Sequence, residues 1–195
     1  MGASDYATVE VQGLRELGQA LQQLPQRIGR NVLRGAVGAG ARRIRDRARE
    51  NAPRSTGAVK DGHPPPGTLK RSIIVKQIPE LSGPLKQTFY VHVRSGKKYA
   101  HQGKGGRLSQ DAWYWRFVEF GTQAHVVRPK NKKALAFNGQ VRPMASIPAV
   151  GARPFMRTAF ESEKSRAVDE IKRYLEERIP QEVDKLPQFR MLWST

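Results

Sequence analysis

The sequence predicts an α+β fold in which an antiparallel sheet packs against an N-terminal helix pair and a long C-terminal helix. Three observations lead to this prediction. Stretches that alternate apolar and polar residues, as half-buried strands do, occur near the start and in the middle of the chain. Stretches with apolar residues three and four positions apart, as in amphipathic helices, lie on both sides of that middle region. No regular helical crossover separates the central strands, which favours antiparallel pairing.

The N-terminal part is predicted to hold one strand and two helices. Residues 6–13 (YATVEVQG) alternate as a strand, and residues 14–24 place leucines at helical spacing. Residues 26–51 form the second helix, which ends before Pro53 because the residue preceding a proline disfavours helical geometry. Three glycines weaken this helix and predict a close approach of another element. They are Gly35, Gly38 and Gly40.

The middle of the chain is predicted to supply the strands, and the C-terminal part a long helix. Predicted strands cover residues 69–78, 87–95 and 134–138, and the proline-rich residues 141–154 should run extended. Pro154 should open the last helix at its first position, where a missing N–H costs nothing. Ile179-Pro180 should end that helix.

The whole chain, residues 1–195, is expected to form a single domain. Two stretches rich in proline, glycine and lysine, 55–68 and 96–110, predict mobile loops that become ordered only on contact with other proteins. Residues 180–195 are predicted to form a C-terminal tail.

The charge is strongly basic, with 35 Lys and Arg against 17 Asp and Glu and a net charge of +18. A positive field of this kind attracts polyanions such as nucleic acids. A basic surface that faces a protein partner would explain the net charge equally well. The arginines of residues 26–51 point in most directions around the predicted helix, which argues against sequence-specific reading of one DNA groove. The sequence has no cysteine and no apolar run of membrane-spanning length, so neither sulfur chemistry nor a membrane partner is expected.

The polar residues do not form a recognisable catalytic pattern. None of the four histidines has metal-ligand spacing, although His125 and Glu119 could be drawn as an acid/base pair. The glycine-rich stretch at 96–106 lacks the order of residues in a phosphate-binding loop. We therefore expect a protein that is not an enzyme, with no cofactor, no metal and no small-molecule substrate.

The stretch YWRFVEFGT, residues 114–122, concentrates aromatic side chains in one turn. Asp111 as N-cap and Gly121 as a left-handed terminator favour a short helix over a strand. In a helix, Trp113, Phe117 and Phe120 share one side, and Tyr114 and Val118 share the other side. Both sides are apolar, which predicts that the core covers one side and a neighbouring subunit the other.

Several short motifs carry a resemblance to a known family. AP (52–53), TG (56–57), LKRSI (69–73), FVEFGT (117–122) and ARPFMRTAF (152–160) occur in this order. With these motifs the chain resembles the gene-product-ten-like family of tailed-phage head–tail joining, or tail-completion, proteins. The resemblance implies a structural virion protein of the neck or tail end, assembled in the host cytoplasm. It also implies several copies around the DNA channel, contact with neighbouring neck and tail proteins, and no catalytic residues.

These arguments define the expected site. The predicted core and interface latch consists of Trp113, Tyr114, Phe117, Glu119, Phe120, Gly121, Arg153, Pro154 and Phe155. We expect the three aromatics of the first side to anchor the short helix onto the sheet and the last helix, against Phe155 and Phe160, so that Phe117→Ala gives insoluble protein. Glu119 should pair with Arg153 or Arg157. The basic loop that could face DNA carries Lys97, Lys98, Lys104 and Arg107.

A homo-oligomeric ring, most simply a hexamer, is the predicted assembly, because cyclic closure is how one type of subunit surrounds a channel. The alternative is a nucleic-acid-binding protein that acts alone and independently of sequence. A basic ribonuclease toxin is a third reading, and no convergent His, Glu and Arg set supports it.

Overall fold

Two long helices, a short hairpin packed near one end of them and a second, longer hairpin make up the described part of the chain. The computed structural model describes residues 26–55, 64–96, 99, 110–130, 134–137 and 140–185. The predicted first strand and first helix, most of both predicted loops and most of the C-terminal tail lie outside these ranges. No helix within them is both long and apolar enough to cross a membrane.

The helices and strands confirm the predicted α+β class. In chain order they are α1 (Gln26–Asn51), α2 (Thr68–Ser72), β1 (Ile73–Gln77), a 3-10 turn (Pro79–Leu81), β2 (Phe89–Val93), α3 (Trp115–Phe120), β3 (His125–Val127), β4 (Leu135–Phe137), β5 (Gln140–Arg142), β6 (Ala145–Ile147) and α4 (Met156–Val183). All pairing is antiparallel, but it forms three two-stranded sheets, β1 with β2, β3 with β6 and β4 with β5, where the sequence predicted one sheet.

Helices α1 and α4 pack against each other in antiparallel directions. Ala36, in the first half of α1, lies in one core cluster with Leu175, which is in the second half of α4. Ala48, near the end of α1, lies in a second cluster with Ala159, at the start of α4. All four side chains are 0–1% exposed, so both core clusters extend into the contact between these helices.

The glycines of α1 permit this close packing, as the sequence predicted. A Cβ atom on Gly40 would lie 2.8 Å from the carbonyl oxygen of Ala167 in α4. A Cβ atom on Gly35 would overlap the ring of Tyr174. Gly38 differs, because a Cβ atom there would lie 3.5 Å from the ring of Phe89 in β2, which is an ordinary contact distance.

Strands β1 and β2 form a hairpin whose inner side packs against the second core cluster. Ile73 pairs with Val93 across the hairpin, and these two residues are 0% and 6% exposed. They cluster with Ala48 of α1 and with Phe155, which precedes α4. The strand predicted at 87–95 is therefore confirmed as β2 (Phe89–Val93), in which Val93 is buried in the core and Val91 packs against it.

The strand predicted at 69–78 is wrong in its first part, which is the short helix α2. The side-chain hydroxyl of Thr68 donates to the carbonyl oxygen of Pro65 at 2.6 Å and starts the turn. The hydroxyl of Ser72 donates back to the carbonyl oxygen of Thr68 at 2.7 Å. These local hydrogen bonds outweigh the alternating pattern, and the strand begins only at Ile73.

The second hairpin extends from the end of α3 and returns to the start of α4. Its base is the bridge between Thr122 and Val150, and the pairing of β3 with β6 continues in the same register. The pairing of β4 with β5 follows towards the tip. The strand predicted at 134–138 is confirmed as β4, and the residues predicted to run extended form β5 and β6.

The bounds of α4 differ from the prediction at both ends. Pro154 lies outside the helix. The helix begins at Met156, and its N-cap residue is Phe155. Pro180 lies inside the helix, which continues to Val183. Burial of Ile179 against α1 explains this continuation, since a proline in the last turn removes only one helical hydrogen bond.

Candidate functional site

Helix α3 is a short helix that ends at a glycine, as predicted. The N–H of Trp115 donates to the carbonyl oxygen of Ala112 at 3.0 Å and begins the turn. Gly121 ends it with a φ of 74°, and a Cβ atom there would lie 2.6 Å from the carbonyl oxygen of Val150. The predicted N-cap is wrong, because the Asp111 carboxylate accepts a hydrogen bond from the N–H of Gly96 at 2.7 Å.

One side of α3 faces the core. Tyr114, Trp115 and Val118 pack against the cluster that contains Phe155. Burial raises the pKa of the Tyr114 phenol above its ordinary value. The sequence prediction placed Tyr114 on this side of α3. It did not predict that Trp115 packs against the core, because Trp115 lies between the two predicted apolar sides.

The other side of α3 is exposed, which contradicts the predicted anchoring role of its aromatics. Trp113, Phe117 and Phe120 are 56%, 52% and 51% exposed, and we call these three residues the aromatic patch. The rings of Trp113 and Phe117 meet edge to face, with centroids 6.2 Å apart. Phe155 is 1% exposed and packs with the inner side of α3, so the predicted contact of the aromatic patch with it does not form.

Glu119 is the one charged residue of α3 that is buried, with 4% exposure. Its Oε2 accepts hydrogen bonds from the N–H groups of Phe155 at 2.8 Å and Met156 at 2.9 Å, and its Oε1 from that of Arg157 at 2.9 Å. These N–H groups belong to the first turn of α4 and have no partner within the helix. Glu119 therefore caps α4 from a distant part of the chain.

This arrangement corrects the predicted ion pair of Glu119 with an arginine. The backbone of Arg157 binds the carboxylate, while its guanidinium lies 6.0 Å from the centre of the Phe120 ring. Arg153 has an exposed side chain, and its N–H donates to the carbonyl oxygen of Val118 at 2.8 Å. The carboxylate thus binds backbone dipoles at a helix N-terminus, where negative charge is favoured.

Two cations lie beside the aromatic patch. Arg116 is exposed on α3, and its guanidinium lies 5.4 Å from the centre of the Trp115 ring, next to the aromatic patch but not over one of its three rings. Arg157 lies over the Phe120 ring. Within the described ranges, no carboxylate forms an ion pair with the guanidinium of Arg116 or Arg157. The exposed side of α3 is therefore both aromatic and positively charged.

A second cluster of charged residues lies in the cleft between α1 and α4. Glu163 is 4% exposed and accepts a hydrogen bond from Arg43 at 2.8 Å and one from Arg166 at 3.1 Å. Burial acts to raise the pKa of Glu163, but the arginine hydrogen bonds outweigh it and hold the pKa below its ordinary value. The ion pair of Glu163 in α4 with Arg43 in α1 therefore links the two helices.

Four arginines of α1 bind groups within the chain: Arg43, Arg45, Arg47 and Arg49. Arg45 binds Asp46 at 2.8 Å, and Arg49 donates to the carbonyl oxygen of Ile73 at 2.7 and 3.0 Å. Among the described residues, no three histidines or carboxylates are close enough to hold a metal ion. The predicted DNA-facing residues Lys97, Lys98, Lys104 and Arg107 lie outside the described ranges.

The described chain is thus an α+β protein that presents an exposed aromatic helix held in place by a buried carboxylate. The family model described as "Bacteriophage HK97-gp10, putative tail-component" matches residues 15–121, more than half of the chain. The chain therefore belongs to the HK97-gp10-like family of tailed-phage tail components, and its role is that of a structural virion protein. The match ends at Gly121, the last residue of the α3 turn. No match was found among curated proteins or among solved structures.

Proposed function

We propose that this protein completes the phage tail or joins it to the head, as one of several identical subunits in a ring around the DNA channel. The observation that carries the proposal is the aromatic patch. Three large aromatic side chains on one side of a rigidly capped helix are each about half exposed to solvent. Contiguous exposed apolar surface of this kind marks sites of protein contact.

The buried cap makes this surface suitable for assembly. Glu119 fixes α3 to the first turn of α4, and the inner side of α3 packs on the core. The aromatic patch is therefore presented on a rigid support, which reduces the entropy lost on binding. A contact between the aromatic patch and a different surface of the next copy closes into a ring, and a hexamer is the proposed number.

The basic charge suits a position in the neck, where the ring would surround DNA. The net charge of +18 lowers the electrostatic cost of placing many subunits next to a polyanion. We propose that the loop residues Lys97, Lys98, Lys104 and Arg107 face the DNA without reading its sequence. The loops 55–68 and 96–110 are proposed to contact neighbouring neck and tail proteins.

A nucleic-acid-binding protein that acts alone is the second candidate, favoured by the same net charge. The described arginines of α1 support it less, because Arg43, Arg45 and Arg49 are held by partners within the chain. Binding of a DNA duplex would also leave the aromatic patch without a role, since a duplex presents phosphates and groove edges, not base faces, to a protein surface.

Complementation of a phage that lacks this gene tests the proposal. The variant Trp113→Ser, Phe117→Ser, Phe120→Ser should be soluble and yield heads and tails that are not joined, as seen by electron microscopy. The matched control is Leu81→Ser, Leu85→Ser, because these leucines are 48% and 59% exposed and lie away from α3. Normal virions from the triple variant would contradict the proposal.

A further inference from the structure

We propose that the aromatic patch binds the acidic N-terminal segment, residues 1–25, of a neighbouring copy. This inference rests on the proposed function, since it requires copies of the chain side by side. It goes further by naming the segment that covers the aromatic patch and the charges that select it.

The charge around the aromatic patch selects an acidic partner. The guanidinium of Arg157 lies over the Phe120 ring, and the guanidinium of the exposed Arg116 lies over the neighbouring Trp115 ring. The nearest buried acid, Glu119, is fully used by the backbone of α4. An occupant must therefore bring apolar side chains for the rings and carboxylates for the two arginines.

Only one of the chain's candidate segments has that composition. The N-terminal segment carries Asp5, Glu10 and Glu16 against Arg15, a net charge of −2. The C-terminal residues 186–195 contain one arginine and no acid, and the hairpin residues 122–150 contain five basic residues and no acid. The large apolar residues of the N-terminal segment are Met1, Tyr6, Val9, Val11, Leu14, Leu17, Leu21 and Leu24.

The segment begins at the end of α1 that lies away from α3, so its own copy could supply it to the aromatic patch only by running back along the whole of α1. The segment joins α1 at Gln26, next to the cluster that holds Ile28 and Ile179. The inner side of α3 packs in the other cluster, with Ala48. About 22 helical residues separate these ends, or about 33 Å at 1.5 Å per residue. A segment that leaves one end and binds the opposite end of the next copy makes a head-to-tail contact, the type that closes rings.

Photo-crosslinking tests the proposal on the full-length chain. The photoreactive residue p-benzoylphenylalanine replaces Phe117, and equal amounts of unlabelled and ¹⁵N-labelled protein are mixed before assembly and irradiation. Mass spectrometry should find crosslinks from position 117 to peptides within residues 1–25, with light–heavy pairs that prove contact between copies. The control places the same photoreactive residue at Val141, which is 72% exposed on the second hairpin and should not capture this segment.

Charge reversal adds an independent measurement. Arg116→Glu with Arg157→Glu should lower the crosslink yield by at least about tenfold, and so should Asp5→Lys with Glu10→Lys and Glu16→Lys. Combining all five changes should restore the yield. An unchanged yield in both reversed variants would overturn the charge argument and with it the proposal.

The outcomes separate this inference from the proposed function. Light–heavy crosslinks from position 117 to residues 122–150 or 186–195 would overturn the N-terminal occupant while leaving a contact between copies in place. Crosslinks to residues 1–25 of the same copy alone would overturn the contact between copies. Crosslinks only to another phage protein or to nucleic acid would overturn it as well, and the complementation experiment would then judge the proposed function separately.

Discussion

The carboxylate of Glu119 accepts a hydrogen bond from the backbone N–H of Phe155 at 2.8 Å, across 36 positions of sequence. Two further N–H groups of the same helical turn bind this carboxylate. One side chain therefore fixes the short aromatic helix to the start of the longest helix. This bond decides which side of α3 faces the core and which side remains available to a partner.

Glu119→Ala should destabilise the free subunit. The change leaves three backbone donors at a buried helix end without a partner, and we expect a loss of about 2–3 kcal/mol in the free energy of unfolding. Urea unfolding followed by circular dichroism measures it. Glu161→Ala is the control, because that side chain is 57% exposed and its pair with Lys164 should contribute less than about 1 kcal/mol. A Glu119→Ala protein as stable as the parent would show that the cap is unimportant.

Phe117→Ala should leave the fold intact and impair assembly, which reverses the expectation from sequence. Its side chain is 52% exposed, so truncation opens no cavity in the core. Phe155→Ala is the matched comparison, since it removes a ring that is 1% exposed and should cost about 3–5 kcal/mol. Thermal melts of both proteins check this contrast. A Phe117→Ala melt as low as that of Phe155→Ala would place Phe117 in the core.

Gly40→Ala and Gly38→Ala should have opposite effects. A methyl group at Gly40 would lie 2.8 Å from a backbone oxygen of α4, and we expect a loss of about 1–3 kcal/mol. At Gly38 the closest contacts are 3.3 Å to the flexible end of Arg42 and 3.5 Å to Phe89, so the better helix propensity of alanine should stabilise by up to about 1 kcal/mol. Equal effects in denaturant unfolding would contradict the close approach of α1 and α4.

Glu163 should make stability depend on pH. Burial raises its pKa and the hydrogen bonds from Arg43 and Arg166 lower it by more, so its pKa in the folded chain lies below the ordinary 4.5. The contribution is fully present above about pH 4.5 and is lost as the pH falls through the folded pKa. The stability difference between the parent and Glu163→Gln should therefore be largest near neutral pH and shrink in acid. A difference that grows in acid would contradict the lowered pKa.

Local patterns predicted much of this fold. The alternation at 87–95 correctly predicted β2, and the glycines of α1 correctly predicted the close approach of α4. Gly121 correctly predicted the end of α3. Each of these depends on a few neighbouring residues and on geometry that a short stretch can encode. The family resemblance, drawn from five short motifs, was confirmed by the family match over residues 15–121.

The errors arose where distant contacts decide the outcome. Sequence spacing showed two apolar sides of α3 but could not tell which side the core would cover. Glu119 was expected to pair with an arginine. Its partners are backbone N–H groups, which no pattern of side chains in the sequence reveals. Pro180 was read as a helix end, while packing of Ile179 against α1 continues the helix beyond it.

A reconstruction of the assembled virion by electron cryo-microscopy tests the central claim most directly. The account predicts a closed ring, with six copies as the expected number, in which Trp113, Phe117 and Phe120 are buried against the next copy. A virion that holds one copy of the chain, or a ring in which these three side chains face solvent, would contradict it.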